Sequence, residues 1–331
     1  MERFALAAAV VLGFALTAAL CSLFVPLRRV LERREQQQQP VQSEQPRPAP
    51  LRAPLWGGLC AAAGTVAAVG VGWLAACVGQ PELLGSEGRL MTRLLTALAG
   101  SLAFGAVGLA EDVARMRSPA ALGLRRDVRL LLEALAAAFV LLLLRAAGCL
   151  PWGLGVPGAG YVLLGSAVPF LWAVLMVALA ECARIAERDE GTVCGAAFVA
   201  MLALMMVEAG LGVSGLAVLP AALAGALVAL GLWAFPPARL GAGCCGSLLA
   251  AGAIGCIPLS LDMTSLTVPL ALPFWAAGGL LAAQLLCAKR TGKPLRCWVK
   301  KHKMSPETVF LCSFALSAVG YVLALALLRW C

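Results

Sequence analysis

An apolar run long enough to cross a bilayer stops on two adjacent carboxylates, Glu111 and Asp112, and Arg115 follows one helical turn after Glu111. Carboxylates are costly in hydrocarbon, so this pair belongs at a water boundary. There it could hold a divalent cation or a reacting phosphate through its oxygens, or it could simply end the helix in water. A second polar stretch, 181–194, carries Glu181, Arg184, Glu187, Arg188, Asp189 and Glu190 and reads by itself as a solvated charged turn. The basic run around Lys300, Lys301 and His302, the chain's single histidine, could draw in a pyrophosphate or an anionic lipid. Cys244 and Cys245 are adjacent thiols, but no partnering His or Cys loop accompanies them as a soft-metal site would require.

The elements that must position these groups are membrane helices. Hydrophobic residues make up 61% of the chain and charged residues 13%, and mean hydropathy is +0.90, which excludes an ordinary soluble domain. The apolar runs predict an all-α, polytopic membrane protein of about ten spans, at 4–27, 54–78, 91–110, 130–149, 159–180, 195–211, 216–235, 247–261, 267–288 and 307–328. They form a single transmembrane helical domain, with 28–53, rich in Arg, Gln and Pro, as a flexible loop. The first run lacks a small-residue cleavage site and is expected to be a retained helix.

With both termini outside, every Lys and Arg except Arg3, Arg89, Arg93, Arg145 and Arg329 falls in loops 28–53, 111–129, 181–194, 236–246 or 288–306. The positive-inside rule therefore puts those loops in the cytoplasm and accounts for the net charge of +9 without nucleic acid. Polar groups are scarce in mid-span, Glu208 and Gln284 being among the few, so a site at the cytoplasmic face is favoured over a pump or channel path. Thirteen cysteines, mostly in apolar runs and without CxxC pairs, read as small buried hydrophobes.

Loop by loop, the chain resembles the polyprenyl-phosphate N-acetylhexosamine-1-phosphate transferases (glycosyltransferase family 4), and among them the phospho-N-acetylmuramoyl-pentapeptide transferases of peptidoglycan lipid-intermediate synthesis. Pro54, Gly57 and Gly58 match a Thr-Pro-Thr-Met-Gly-Gly pattern without its two threonines. Gly108-Leu109-Ala110-Glu111-Asp112-Val113-Ala114-Arg115, then Gly123-Leu124, Arg129 and Glu133, is similar to Gly-Phe-x-Asp-Asp-x-x-Lys followed by Gly-Leu-x-x-x-x-Lys-x-x-x-Gln. In the third loop Glu181 and Arg184 stand for two asparagines, Glu187 and Glu190 for two aspartates, and Gly191 and Gly195 align. In the fourth, the Pro-Ala and Gly frame is kept at Pro237, Ala238, Gly243 and Gly246, but Ala234 replaces an asparagine and Cys244 the aspartate that holds magnesium. In the fifth, only His302 stands for a triple histidine.

What the resemblance implies is a ten-span fold with both termini outside, in a bacterial-type cytoplasmic (inner) membrane. Glu111, Asp112, Glu187 and Glu190 take the catalytic positions, Asp112 the metal position, and Arg115, Arg129, Lys300, Lys301 and His302 the substrate positions. Thiolate suits magnesium poorly, because that ion takes hard oxygen ligands in an octahedron. The expected protein is therefore a transferase-fold pseudoenzyme with impaired or lost catalysis, binding polyprenyl phosphate or serving envelope assembly, with a homodimer or an envelope-synthesis protein as candidate partner. The alternative is an active Mg2+-dependent transferase with a rebuilt site, moving a phospho-sugar from a UDP-sugar to polyprenyl phosphate.

Overall fold

The computed structural model describes residues 2–38, 56–79, 89–117, 123–156, 160–163, 165–187, 191–213, 215–235, 239–291 and 306–330. Runs of Ala, Leu, Val and Gly satisfy their own backbone hydrogen bonds as helices, the solution a bilayer demands of a single segment. In chain order these are α1 (Glu2–Gln38), α2 (Gly57–Gly79), α3 (Arg89–Arg117) and α4 (Arg126–Ala146), then α5 (Ala167–Ala186), α6 (Thr192–Gly210), α7 (Val218–Ala234) and α8 (Gly243–Ser260). A 3-10 turn at Thr264–Leu266 leads into the short α9 (Thr267–Leu270), followed by α10 (Leu272–Thr291) and α11 (Pro306–Trp330).

Seven helices are long and apolar enough to cross a membrane among the described residues, or up to eight if α9 with the start of α10, bent by 64°, counts as one span. Pro269 and Pro273 flank that bend and remove the amides a straight helix would need. Of the remaining expected spans, 216–235 appears as the shorter α7 and 130–149 as α4, whose ends carry Arg126, Asp127, Arg129 and Arg145. The protein is all-α and polytopic as the sequence predicts, with two local differences. The span expected at 159–180 begins only at Ala167, because Gly153–Val156 (β1) and Gly160–Leu163 (β2) pair as an antiparallel hairpin, Leu154 opposite Val162. Val156, Tyr161 and Val162 are strand-favouring residues, and the apolar run in which they stand is what a hydropathy count reads as one more span. Helix α1 also continues to Gln38, so residues 28–38 are helical rather than part of a flexible loop, and 39–53 lie outside the described residues.

The fold is built around α8, every residue of which is buried. Its largest contact is with α3, while α1 packs on α7 and α2. Small residues permit this closeness, as membrane packing requires in the absence of a hydrophobic drive between helices. At Gly108, a Cβ would run into the backbone carbonyl of Cys244, so α3 and α8 are in backbone contact at that level. The Gly57-Gly58 pair serves the same end, since a Cβ on Gly58 would overlap the backbone of Ala242 and Gly246.

Candidate functional site

The contact at Gly108 sets the geometry of everything one turn further along α3. It brings Asp112 under the first residues of α8, where helical backbone leaves amides without intrahelical partners. Gly243, at φ +67°, turns the chain into the helix in a conformation that side chains other than glycine rarely adopt. The amides of Cys244 and Cys245 then donate to Asp112, to Oδ1 at 3.0 Å and to Oδ2 at 2.9 Å. Asp112 is 1% exposed, so the bonds are made away from water, and the negative charge faces the positive end of the α8 dipole. Both oxygens of the expected metal-binding carboxylate are thus engaged in capping a helix. The Cys244 thiol is fully buried and contributes through its backbone amide.

The other charged groups form an unbroken chain of alternating sign across three helices. Arg184 Nη2 donates to Glu181 Oε2 at 2.6 Å within α5. Glu181 Oε1 accepts from Arg129 Nε of α4 at 2.7 Å, and Arg129 Nη1 reaches Glu111 Oε2 of α3 at 3.5 Å. Glu111 Oε1 accepts from Arg115 Nη2 at 2.9 Å, and Arg115 Nη1 lies 3.9 Å from Glu187 Oε2. Each member sits at a helix end with its partner three or four residues away or on the adjoining helix, the spacing at which side chains meet. Burial by itself would lower the pKa of Arg129, but the hydrogen bond to Glu181 and the charges of Glu181, Glu111 and Glu133 outweigh it and raise the value. Glu133, one turn after Arg129, is fully buried and neither carboxylate oxygen has a hydrogen-bond partner among the described residues.

Of the residues singled out from the sequence, the structure brings together Glu111, Asp112, Arg115, Arg129 and Glu187 around the start of α8. Glu190, Lys300, Lys301 and His302 lie outside the described residues. Three site members were not nominated from the sequence as functional: Glu181, Arg184 and Glu133. The signal was present in the opposite charges at i and i+3 in Glu181 and Arg184, and in Arg129 and Glu133 at i and i+4. Glu181 and Arg184, at the positions where the resemblance implies asparagines, pair with each other and with Arg129.

The donor set does not fit magnesium. Asp112 spends both oxygens on backbone amides, Glu111 spends both on guanidinium groups, and a soft thiol stands at the position implied for a hard ligand. Among the described residues no group of three or more His, Cys, Asp or Glu side chains is arranged to hold a metal ion. Among the described residues, the cations paired with these carboxylates are Arg115, Arg129 and Arg184.

A family profile described as Glycosyl transferase family 4 matches residues 94–262, from the first turns of α3 to just beyond α8, and so contains the whole ion-pair chain and the capped helix. A comparison with curated proteins finds no match. The matched region covers just over half of the chain, and the helices it spans are those that build the site. The chain belongs to glycosyl transferase family 4.

Proposed function

We propose that this protein is a transferase-fold pseudoenzyme of a bacterial-type inner membrane, in which the phospho-sugar transfer site has become an internal electrostatic lock. In this reading the cytoplasmic ends of α3, α4, α5 and α8 are clamped together, and the protein serves envelope assembly by binding a polyprenyl phosphate or a partner. The supporting observation is the double capping of α8 by Asp112, which occupies the carboxylate that metal-assisted transfer would require. Phosphoryl transfer relies on neutralising charge on the moving phosphate and on positioning it. Here the guanidinium groups neutralise the protein's own carboxylates.

A second reading, an active transferase of the phospho-N-acetylmuramoyl-pentapeptide type with a rebuilt site, draws on Glu133, whose two unpartnered oxygens are acceptor capacity inside the cluster. The purified protein, supplied with UDP-sugar, polyprenyl phosphate and Mg2+, distinguishes the two through UMP release. The lock reading expects release at background level together with retained binding of polyprenyl phosphate by native mass spectrometry. Mg2+-dependent release that is abolished by Glu187→Gln in a folded variant would establish the second reading in its place.

A further inference from the structure

Helices α1 and α2 touch along a line whose register is fixed at three levels. Ala9 meets Gly72 through its Cβ, and Thr17 lies so close to Gly64 that a Cβ there would overlap the threonine hydroxyl. Phe24 and Trp56 stack further along, with ring centroids 6.0 Å apart and planes inclined by 14°. As the α1 index rises, the α2 index falls by nearly equal steps, so the helices are antiparallel. One turn beyond Thr17 on α1 is Cys21, and one turn before Gly64 on α2 is Cys60. The two residues are therefore directly opposed, between the Thr17–Gly64 contact and the aromatic stack. Both are buried, at 0% and 1% exposure. The absent side chain at Gly64 draws the helices together one turn away, the close approach a disulfide needs between its two α-carbons.

We propose that Cys21 and Cys60 are an oxidisable pair, forming an intramolecular disulfide that staples α1 to α2 when a peroxide reaches them. The thiols are free in the structure. One sulfur attacks a peroxide oxygen, becoming a sulfenic acid as the O–O bond breaks and water leaves. The second sulfur displaces the sulfenic hydroxyl as water and closes the S–S bond. With hydrogen peroxide, two thiols and one peroxide give one disulfide and two waters, two electrons passing from sulfur to oxygen. Two further buried thiols, Cys194 of α6 and Cys245 of α8, are the competing partners. The staple would lie one turn from Gly57-Gly58, the contact that holds α2 against the start of α8, so it ties α1 to the helix that seats the charged cluster.

The full-length protein in native membrane vesicles is treated with hydrogen peroxide, unfolded, alkylated and digested without reduction. Mass spectrometry should find one linked peptide, Cys21–Cys60, reversed by dithiothreitol, with Cys21 and Cys60 lost together from the alkylated pool and Cys256 fully alkylated. In Cys21→Ser the linked peptide should vanish and Cys60 should be trapped by dimedone as its sulfenic acid. Full alkylation of both thiols after peroxide would overturn the proposal, as would linkage of Cys21 to Cys194 or of Cys60 to Cys245. The mapping is made on the unmodified chain, so it does not depend on a variant that folds.

Discussion

Replacing Asp112 by alanine tests whether the acid serves the fold or a ligand. The substitution leaves the amides of Cys244 and Cys245 without acceptors in a place where Asp112 itself is 1% exposed. Hydrogen bonds to a charged group contribute about 1.5–3 kcal/mol each, and loss of an N-cap alone costs about 0.5–2 kcal/mol. Against this, the variant no longer buries a carboxylate, so the two bonds do not count in full. A loss of about 2–4 kcal/mol follows, a factor of roughly 30 to 1,000 in the folding equilibrium. Thermal unfolding in detergent, read through the eight tryptophans, measures it. Asp112→Asn keeps one acceptor but turns an amide group toward a backbone donor, so its midpoint should fall between those of alanine and the unaltered chain. Cys244→Ala is the control: it retains the backbone amide and should lower the midpoint less than Asp112→Ala. Mg2+ should leave the midpoint of the unaltered protein where it was. Unchanged stability in Asp112→Ala, or a Mg2+-induced rise that this variant abolishes, would refute the capping argument.

Three further outcomes follow from the same geometry. Glu133→Gln removes a buried carboxyl whose oxygens have no partners, so the protein should keep or gain stability by about 1 kcal/mol in the same melt, whereas a structural use of that charge would make it lose. Glu181→Gln weakens the contacts to both Arg129 and Arg184, and about 1–3 kcal/mol should be lost; the double variant Glu181→Gln, Arg184→Gln should recover part of it, the coupling being read from a double-mutant cycle. Gly108→Ala forces a Cβ into the carbonyl of Cys244, and about 1–3 kcal/mol of overpacking strain should appear as a lower midpoint, because neither backbone can yield alone.

Much of this protein was legible without coordinates, because the bilayer makes hydropathy nearly a structural rule: an apolar run of sufficient length must be a helix. The all-α polytopic class and the helical segments follow from it, as does the clustering of charge in a few loops. The rule fails where length and composition mislead. Residues 160–163 are apolar but pair with 153–156 as a strand, and α7 is fully apolar yet only 17 residues long. The acid pair at Glu111 and Asp112 was also visible, as was the Cys244 thiol at the position where the resemblance implies a hard oxygen ligand. Tertiary structure alone decided how those two adjacent acids divide their work. They point in different directions around α3, so Glu111 meets the arginines of α3 and α4, while Asp112 meets the backbone of α8. The partners in that second contact are main-chain amides, which carry no residue identity and leave no trace in a sequence. Their arrival beside Asp112 depends on a missing side chain at Gly108, more than a hundred residues away along the chain from the helix it admits.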